Sequence, residues 1–327
     1  MHAIRQHAFG PADNLSYEQV PDPVPGEGQV RIAVQASGVH VIDTAIRRGV
    51  QTGAYPLPEL PMIPGREVAG VVDAVGPGVD QSWIGRRVVA HLGMASGGYA
   101  ELAVAAEPSL HVIPDGLAAE LAVAAIGTGR TAVGILEVAA LTAQDVVLVT
   151  AAAGGLGLLF VQAGRNAGAT VVAVAGGPSK VATALEHGAD LAVDYLRPDW
   201  PALVRTALGD RPVTVVLDGV GGAAGRAALE LLGVGGRLVF FGWSSGEQLV
   251  VTIQDLYRLG ISAAAGIGPR LTQRQGGLRA LETTALAEAA AGSLVPVVGQ
   301  TFPLAKAAAA HTAIETRATT GKVVLVP

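Results

Sequence analysis

Apolar and polar residues alternate in short runs over the first 120 positions, and Pro- and Gly-rich turns separate those runs. "GQVRIAVQASGV", "EVAGVVDAVGPGV", "GRRVVAHL" and "GYAELAVAA" each read as a strand, and "MHAIRQHAFG" opens the chain in the same way. This spacing predicts a mainly β domain. After position 120 the period changes. "DVVLVTA", "TVVAVAG", "DLAVDY", "VTVVLDGV" and "GRLVFFG" are apolar strand segments, with helical stretches between most of them. Such alternation predicts a parallel sheet covered on both faces by helices. The helices include "GLLFVQAGRNAG", "KVATALEHG" and "GRAALELLG", each ending in a glycine suited to a C-cap. From about 266 a long Ala-rich helix, "LRALETTALAEAAAG", leads to "VPVVGQTFPL", another helix and the strand "GKVVLVP". The expected division is therefore residues 121–265 as an α/β doubly wound domain, with 1–120 and 266–327 together as the β domain.

The run between Asp145 and Arg165 carries no charge and is long enough to raise the question of a membrane span. Gly154, Gly155 and Gly157 interrupt it, and Val146, Val147 and Val149 crowd only its first part. A strand, a tight turn and a helix explain that asymmetry better.

Composition narrows the classes. Charged residues are only 15% of the chain and hydrophobic ones 50%, which excludes a disordered protein. Aromatics are 4% against 44 glycines, so the core must be built from closely packed Ala, Val and Leu. A net charge of −5 without basic runs leaves no electrostatic footprint for nucleic acid. No cysteine is present, which removes thiolate nucleophiles, disulfides and every cysteine-ligated metal site. The opening residues lack the apolar core of a signal peptide, so the expectation is a cytoplasmic protein with no membrane partner.

Aligned on Gly157, the uncharged run reads Ala152-x-Gly154-x-x-Gly157, the dinucleotide fingerprint with alanine in the first glycine's place. The middle glycine lets backbone approach a pyrophosphate, the last allows close helix–strand contact, and the new helix aims free N–H groups at the phosphates. Candidate cofactor contacts here are Ala153, Gly154, Gly155, Leu156 and Gly157, with Thr128 added from earlier in the chain. A carboxylate for a ribose 2′-hydroxyl belongs roughly 20 residues further on. Ala175 and Gly176 stand there instead, followed by Ser179 and Lys180, which can bind a 2′-phosphate. Lys180 equally suits a solvated helix face. On this logic NADPH is favoured over NADH.

These motifs resemble the zinc-independent quinone oxidoreductases of the medium-chain dehydrogenase/reductase superfamily, the group that includes ζ-crystallin. The likeness runs nearly end to end through "ASGVHVIDTAIRRG", "LPMIPGREVAGVVDAVGPGV", "GGYAEL", "TAAAGGLG", "LDGVGG", "GRLVFFG" and "ETRATTGKVVL". It implies a GroES-like catalytic domain with a Rossmann domain inserted near 121–265, usually as a homodimer. It also implies that Gly219, Val220, Phe241 and Gly242 lie along the nicotinamide half of the cofactor. Tyr195 resembles the family tyrosine near the adenosine phosphate. Arg317 and Lys322 resemble basic residues that return toward the cofactor, although cations at a helix end explain them as well.

Two departures stand out. His40 occupies a position where the family commonly has asparagine and where zinc-dependent relatives place a cysteine ligand. The next zinc ligand would fall on Arg66, which cannot bind the metal, so no catalytic zinc is expected. Ala45 replaces a tyrosine frequent in relatives, which should enlarge or dry the substrate pocket. Asp43 either orients His40 or caps the following "TAIRRG" helix.

The implied activity is hydride transfer from NADPH to a quinone, which needs a held cofactor and excluded water more than a catalytic cluster. His40 is the candidate hydrogen-bond donor to the quinone oxygen; a structural histidine is the competing reading. A reductase of activated C=C bonds in enones or enals is the first alternative, and a catalytically silent NADPH-binding protein the second.

Overall fold

Gln29–Val39, a strand of eleven residues, alternates buried and partly buried positions through most of its length, and the first unit forms around it. In the computed structural model, which describes residues 1–51 and 56–327, it pairs antiparallel with Glu67–Val75, Leu102–Ala106 and Lys322–Val326. The sheet order is Val298–Pro303, Lys322–Val326, Gln29–Val39, Glu67–Val75, Arg87–His91, Leu110–Val112. One face packs Val30, Ile32, Val72, Val88 and Leu110, and the other packs Ala36, Ala69, Val89, Ile126 and Val324. Register places Val39 opposite Val323 and Ser37 opposite Val68. His40, Lys322 and Glu67 therefore collect at one end of this sheet.

The second unit is a six-stranded parallel sheet. Its order is Leu191–Asp194, Thr170–Ala175, Val146–Thr150, Val213–Asp218, Leu232–Phe240, Ser262–Ala265, or 3-2-1-4-5-6 in chain order. Val146–Thr150 is buried at every position, as a strand covered on both faces must be. The order reverses between Val146–Thr150 and Val213–Asp218, and such sheets bind ligands outside the strand ends at that point.

Boundaries differ from the expected 120/121 and 265/266. The first unit comprises 1–128, 285–290 and 295–327, and the second 129–284 and 291–294. The segment after 265 stays with the parallel sheet because Leu271 and Leu281 close onto Gly134. A Cβ at Gly134 would sit 2.2 Å from Leu271 Cδ2 and 3.2 Å from Leu281 Cδ1. "GRAALELLG" is corrected too: its helix, Gly222–Leu229, stops at Glu230, and Gly233 lies inside the next strand.

Among the elements that escaped the sequence pattern, two lie in the second unit. Helix Ile253–Leu259 begins with a capping box in which Thr252 and Asp255 satisfy each other's backbone N–H. Ser262–Ala265 is a short, mostly exposed edge strand of small residues, too brief to show alternation.

The uncharged run folds as strand Val146–Thr150 and helix Gly155–Asn166. A different helical run, Ala119–Ala139, is long and apolar enough to cross a membrane. Ala122, Val123 and Ile126 are core residues of the first unit, whereas Ala132 and Ile135 are core residues of the second. This core packing explains the run's apolar character.

Phe160 is fully buried in the second unit's core and packs edge-on against Phe241, ring centroids 5.1 Å apart. Phe160→Ala is expected to cost about 3–5 kcal/mol of stability. Chemical denaturation of both proteins measures it; a loss below about 1 kcal/mol would show that the site refills.

Candidate functional site

Val146–Thr150 is followed by Ala151 at φ +50°, and Gly154 then caps helix Gly155–Asn166 with extended backbone. The turn is tied by Gly154 N–H to Ala151 O (2.9 Å) and by Ala152 N–H to Val174 O (3.1 Å). The glycines divide the work. A Cβ at Gly157 would lie 2.3 Å from Ala151 O and 2.7 Å from Ala152 Cα, so the fold itself requires that glycine. A Cβ at Gly154 meets only Ala151 O, at 3.2 Å. Gly154, Gly155 and Leu156 remain partly exposed, whereas the Ala153 side chain is buried and leaves only backbone to a ligand. The first helical N–H groups have no partner within the helix and face an open cradle for an anion.

At the next strand's end, the Tyr195 hydroxyl comes within 2.9 Å of where a Cβ of Gly176 would lie. Ser179 is exposed and Lys180 partly buried in the first turn of helix Pro178–Glu186. Ala175 and Gly176 stand at the strand end as read, but an acid reaches the turn from the neighbouring strand. Asp194, paired with Ala175 on the neighbouring strand, brings its carboxylate to the turn. Its Oδ1 accepts from the N–H groups of Gly177 and Leu196, both at 2.9 Å.

Across the reversal in strand order, "DGVGG" and "FFG" lie against each other. Phe241 N–H donates to Asp218 O (2.8 Å), Ser244 N–H to Gly219 O and Ser245 N–H to Val220 O (3.0 Å each). The Phe241 ring occupies the space a Gly219 side chain would need, 2.4 Å from its Cβ position, and a Gly242 Cβ would lie 3.1 Å from Gly219 O. Gly219, Val220, Phe241 and Gly242 are thus brought together, with Val220 buried and the Phe241 ring committed to packing. The residue that sequence reasoning missed is Asp218. Wholly buried, it accepts from Thr150 Oγ1 (2.7 Å) and from the N–H groups of Val220 and Gly221 (3.1 Å each). An acid at a strand end before a glycine turn was the available signal.

Thr128 is buried in a π-helical turn, Ala125–Gly129. Arg317 is exposed in the left-handed turn after helix Ala307–Glu315, at φ +57°. Lys322 parts from it: this side chain is buried at the end of the first unit's sheet, with Nζ 3.1 Å from Glu67 Oε2 and 2.6 Å from His40 Nε2. The structure places Lys322 beside His40 and Glu67.

His40 Nε2 also lies 2.6 Å from Glu67 Oε1. The Glu67 side chain has no exposure, Lys322 has 4% and His40 has 23%. A Cβ at Gly127 would meet Glu67 Oε1 at 1.5 Å and one at Gly38 would meet Oε2 at 2.3 Å, so two glycines make the carboxylate's slot. Burial opposes ionisation of Glu67, but the charges of His40 and Lys322, the His40 hydrogen bond and His91 outweigh it. They hold the carboxyl well below its ordinary range. Burial also lowers the Lys322 ammonium, which Glu67 and Asp43 partly restore. Glu67 follows the position already read as a failed zinc ligand, and a buried acid at a strand start was its only sequence signal.

Asp43 is the third residue of helix Val41–Arg47, inside the helix rather than ahead of it. Its Oδ2 accepts from the His40 backbone N–H (2.8 Å) and its Oδ1 from Arg66 Nε (3.2 Å). Asp43 therefore holds the His40 backbone, not the ring. Ala45 is buried in the same helix.

Behind Asp43, the Tyr99 hydroxyl donates to Asp43 Oδ2 at 3.4 Å and lies 3.2 Å from His311 Nε2. Burial, followed by the Asp43 charge, pushes the Tyr99 phenol well above its ordinary range. Burial lowers His311 to about 4 against Asp43's opposing charge, with Arg47 adding to the drop. As pH falls from about 6.5 toward 4, the unfolded chain takes up a proton at this histidine that the folded chain refuses. Stability should therefore fall in that window, by up to about 3 kcal/mol from this residue. Unfolding free energies between pH 7 and 4.5 should show a flatter slope in His311→Gln than in the wild type. Identical slopes would show that His311 is not held neutral.

The family "Alcohol dehydrogenase GroES-like domain" matches residues 26–115, and "Zinc-binding dehydrogenase" matches residues 155–274. A quinone oxidoreductase of Sus scrofa is 32% identical, covering 99% of this chain and 97% of its own length. A 2-haloacrylate reductase of Burkholderia sp. is 33% identical, covering 98% and 97%. A mycobacterial protein solved with NADPH superposes with a TM-score of 0.86 at 35% identity, over the whole of both chains. With its GroES-like β unit, 3-2-1-4-5-6 sheet and glycine turn, this chain belongs to the quinone oxidoreductase family of the medium-chain dehydrogenase/reductase superfamily.

Proposed function

We propose that this chain is a cytoplasmic, zinc-independent quinone oxidoreductase that uses NADPH and works as a homodimer. The observation carrying this reading is the open glycine cradle, in which Gly154 leaves room that a side chain would fill. The residues present fit the dinucleotide. The backbone at Gly154, Gly155 and Leu156 would hold the pyrophosphate, Ser179 and Lys180 the 2′-phosphate, and Tyr195 the adenosine side. The similar mycobacterial structure was solved with NADPH, which supports this choice. Bound there, NADPH supplies a hydride.

This chain's residues hold, orient and supply a proton. Asp218 pins the backbone of Val220 and Gly221, fixing the loop assigned to the nicotinamide side. His40 donates a hydrogen bond to the acceptor oxygen as that oxygen gains charge. Zinc independence is supported by Arg66 in a ligand's place and by the Lys322 ammonium against the ring nitrogen a metal would need. A homodimer is supported by the exposed edge strand Ser262–Ala265 and by Val250, Ile253 and Tyr257, all exposed. The 2-haloacrylate reductase relative supports a second reading, reduction of an activated C=C bond, in which a proton goes to carbon.

Two experiments test the reading. Gly154→Val should abolish NADPH binding in calorimetry and keep the wild-type circular dichroism spectrum, whereas Gly157→Val should fail to fold. Undiminished affinity in the Gly154 variant would make the turn structural only.

NADPH oxidation should proceed with quinones in a panel that also holds enones and aldehydes. His40→Ala should lower turnover roughly ten- to a hundredfold, with His40→Asn restoring most of it. Reduction of enones alone would favour the second reading. NADPH binding without turnover on any acceptor would mark a silent binding protein, and an Ala variant equal to wild type would make His40 structural.

A further inference from the structure

Asp194 ends strand Leu191–Asp194, and register sets it beside Ala175, the last residue of Thr170–Ala175. One atom then joins the two strand ends. Asp194 Oδ1 accepts from the N–H of Gly177 and from the N–H of Leu196, each at 2.9 Å. Gly177 stands at φ +92° and caps helix Pro178–Glu186, whose first turn carries Ser179 and Lys180. That carboxylate oxygen therefore fixes where the first turn begins. The next residue, Tyr195, donates its N–H to Ala175 O (3.1 Å) and brings its hydroxyl to 2.9 Å from the Cβ position of Gly176.

The tether asks only for an acceptor. An amide oxygen in the same place would accept both N–H groups, so the hydrogen bonds do not account for the negative charge. The charge stands close to where an anion is to be bound. Ser179 follows Gly177 by two residues, so their Cα atoms are no more than about 7 Å apart. That separation lies inside a Debye length of roughly 8 Å at physiological ionic strength. Arg197 is held first by Asp199, through Nε at 3.0 Å and Nη2 at 2.8 Å, and only then by the charge of Asp194. The Asp194 charge is thus left to act on the turn.

We propose that Asp194 sets the cofactor preference of this turn by two opposed effects. Its oxygen holds the turn in the shape that receives the adenosine end. Its charge weakens binding of a 2′-phosphate, so that NADPH is preferred over NADH by less than Ser179 and Lys180 alone would give. The proposal rests on the reading that places the 2′-phosphate at Ser179 and Lys180. A phosphate monoester brings a charge of about −1.5 to −2 at pH 7, whereas the ribose hydroxyl of NADH brings none and escapes the repulsion. Asp194 acts at the adenosine end, so its effect belongs to cofactor affinity and not to the hydride step.

Calorimetric titration of the full chain with NADPH, NADH, adenosine 2′,5′-bisphosphate and adenosine 5′-monophosphate tests this without turnover. Asp194→Asn keeps the acceptor and removes the charge. In about 0.05 M salt it should tighten NADPH and the bisphosphate roughly three- to tenfold and leave NADH and the monophosphate within about twofold. The gain should vanish in about 1 M salt, where the Debye length is roughly 3 Å. Asp194→Ala removes the acceptor as well, so amide hydrogen exchange at Gly177 and Leu196 should quicken in that variant and not in Asp194→Asn. An Asn variant with no gain, with the same gain for NADH, or with a gain that persists in high salt overturns the proposal, as does unchanged exchange in the Ala variant. Lys180→Ala and Ser179→Ala separate the proposal from the reading beneath it. If they weaken NADPH while Asp194→Asn changes nothing, the phosphate seat stands and the role of Asp194 falls. If neither weakens NADPH relative to NADH, the seat lies elsewhere and both fall.

Discussion

A carboxylate removed from water organises the first unit. Glu67 has no exposed side-chain surface, and an ion so placed carries a desolvation penalty of several kcal/mol unless cations and hydrogen bonds offset it. Lys322 and His40 provide that offset, and both reach Glu67 only because strands Glu67–Val75 and Lys322–Val326 flank Gln29–Val39 in the observed register. The slot is lined by Gly38 and Gly127, where any side chain would collide with the carboxylate. One ion thereby constrains two strand ends, two glycines and the turn before helix Val41–Arg47. The same arrangement leaves His40 as the most exposed of the three side chains.

The second unit solves a different problem. Six parallel strands bury their side chains on both faces, so chemistry is left to the turns at their carboxyl ends. Asp218 does for the "DGVGG" turn what Glu67 does for the sheet end, but its partners are a hydroxyl and backbone N–H groups rather than cations. A ligand cradle made of backbone must be held from behind, because glycine has no side chain with which to hold itself.

Periodicity was enough to separate the two units, because a half-buried antiparallel strand alternates and a doubly covered parallel strand does not. It misplaced the first boundary by 8 residues and the second by 19, since the packing of Leu271 and Leu281 onto Gly134 leaves no trace in the sequence near 265. Edge strand Ser262–Ala265 was invisible for a related reason: exposed on most positions and built of small residues, it carries no apolar signature.

The cofactor turn was legible because glycine is needed at fixed spacing wherever backbone must approach closely, and spacing is a property of the chain alone. His40 was found by its place in a motif. Its partners Glu67 and Lys322 lie 27 and 282 positions further along the chain. Only sheet register joins the three, and the Asp194 carboxylate reaches the turn after Thr170–Ala175 in the same way, from a neighbouring strand. Sequence by itself determined which elements form and where backbone must be bare, because local sterics and burial periodicity decide both. Tertiary structure decided which charges meet, because a buried ion takes its partners from whatever the pairing of distant strands sets beside it.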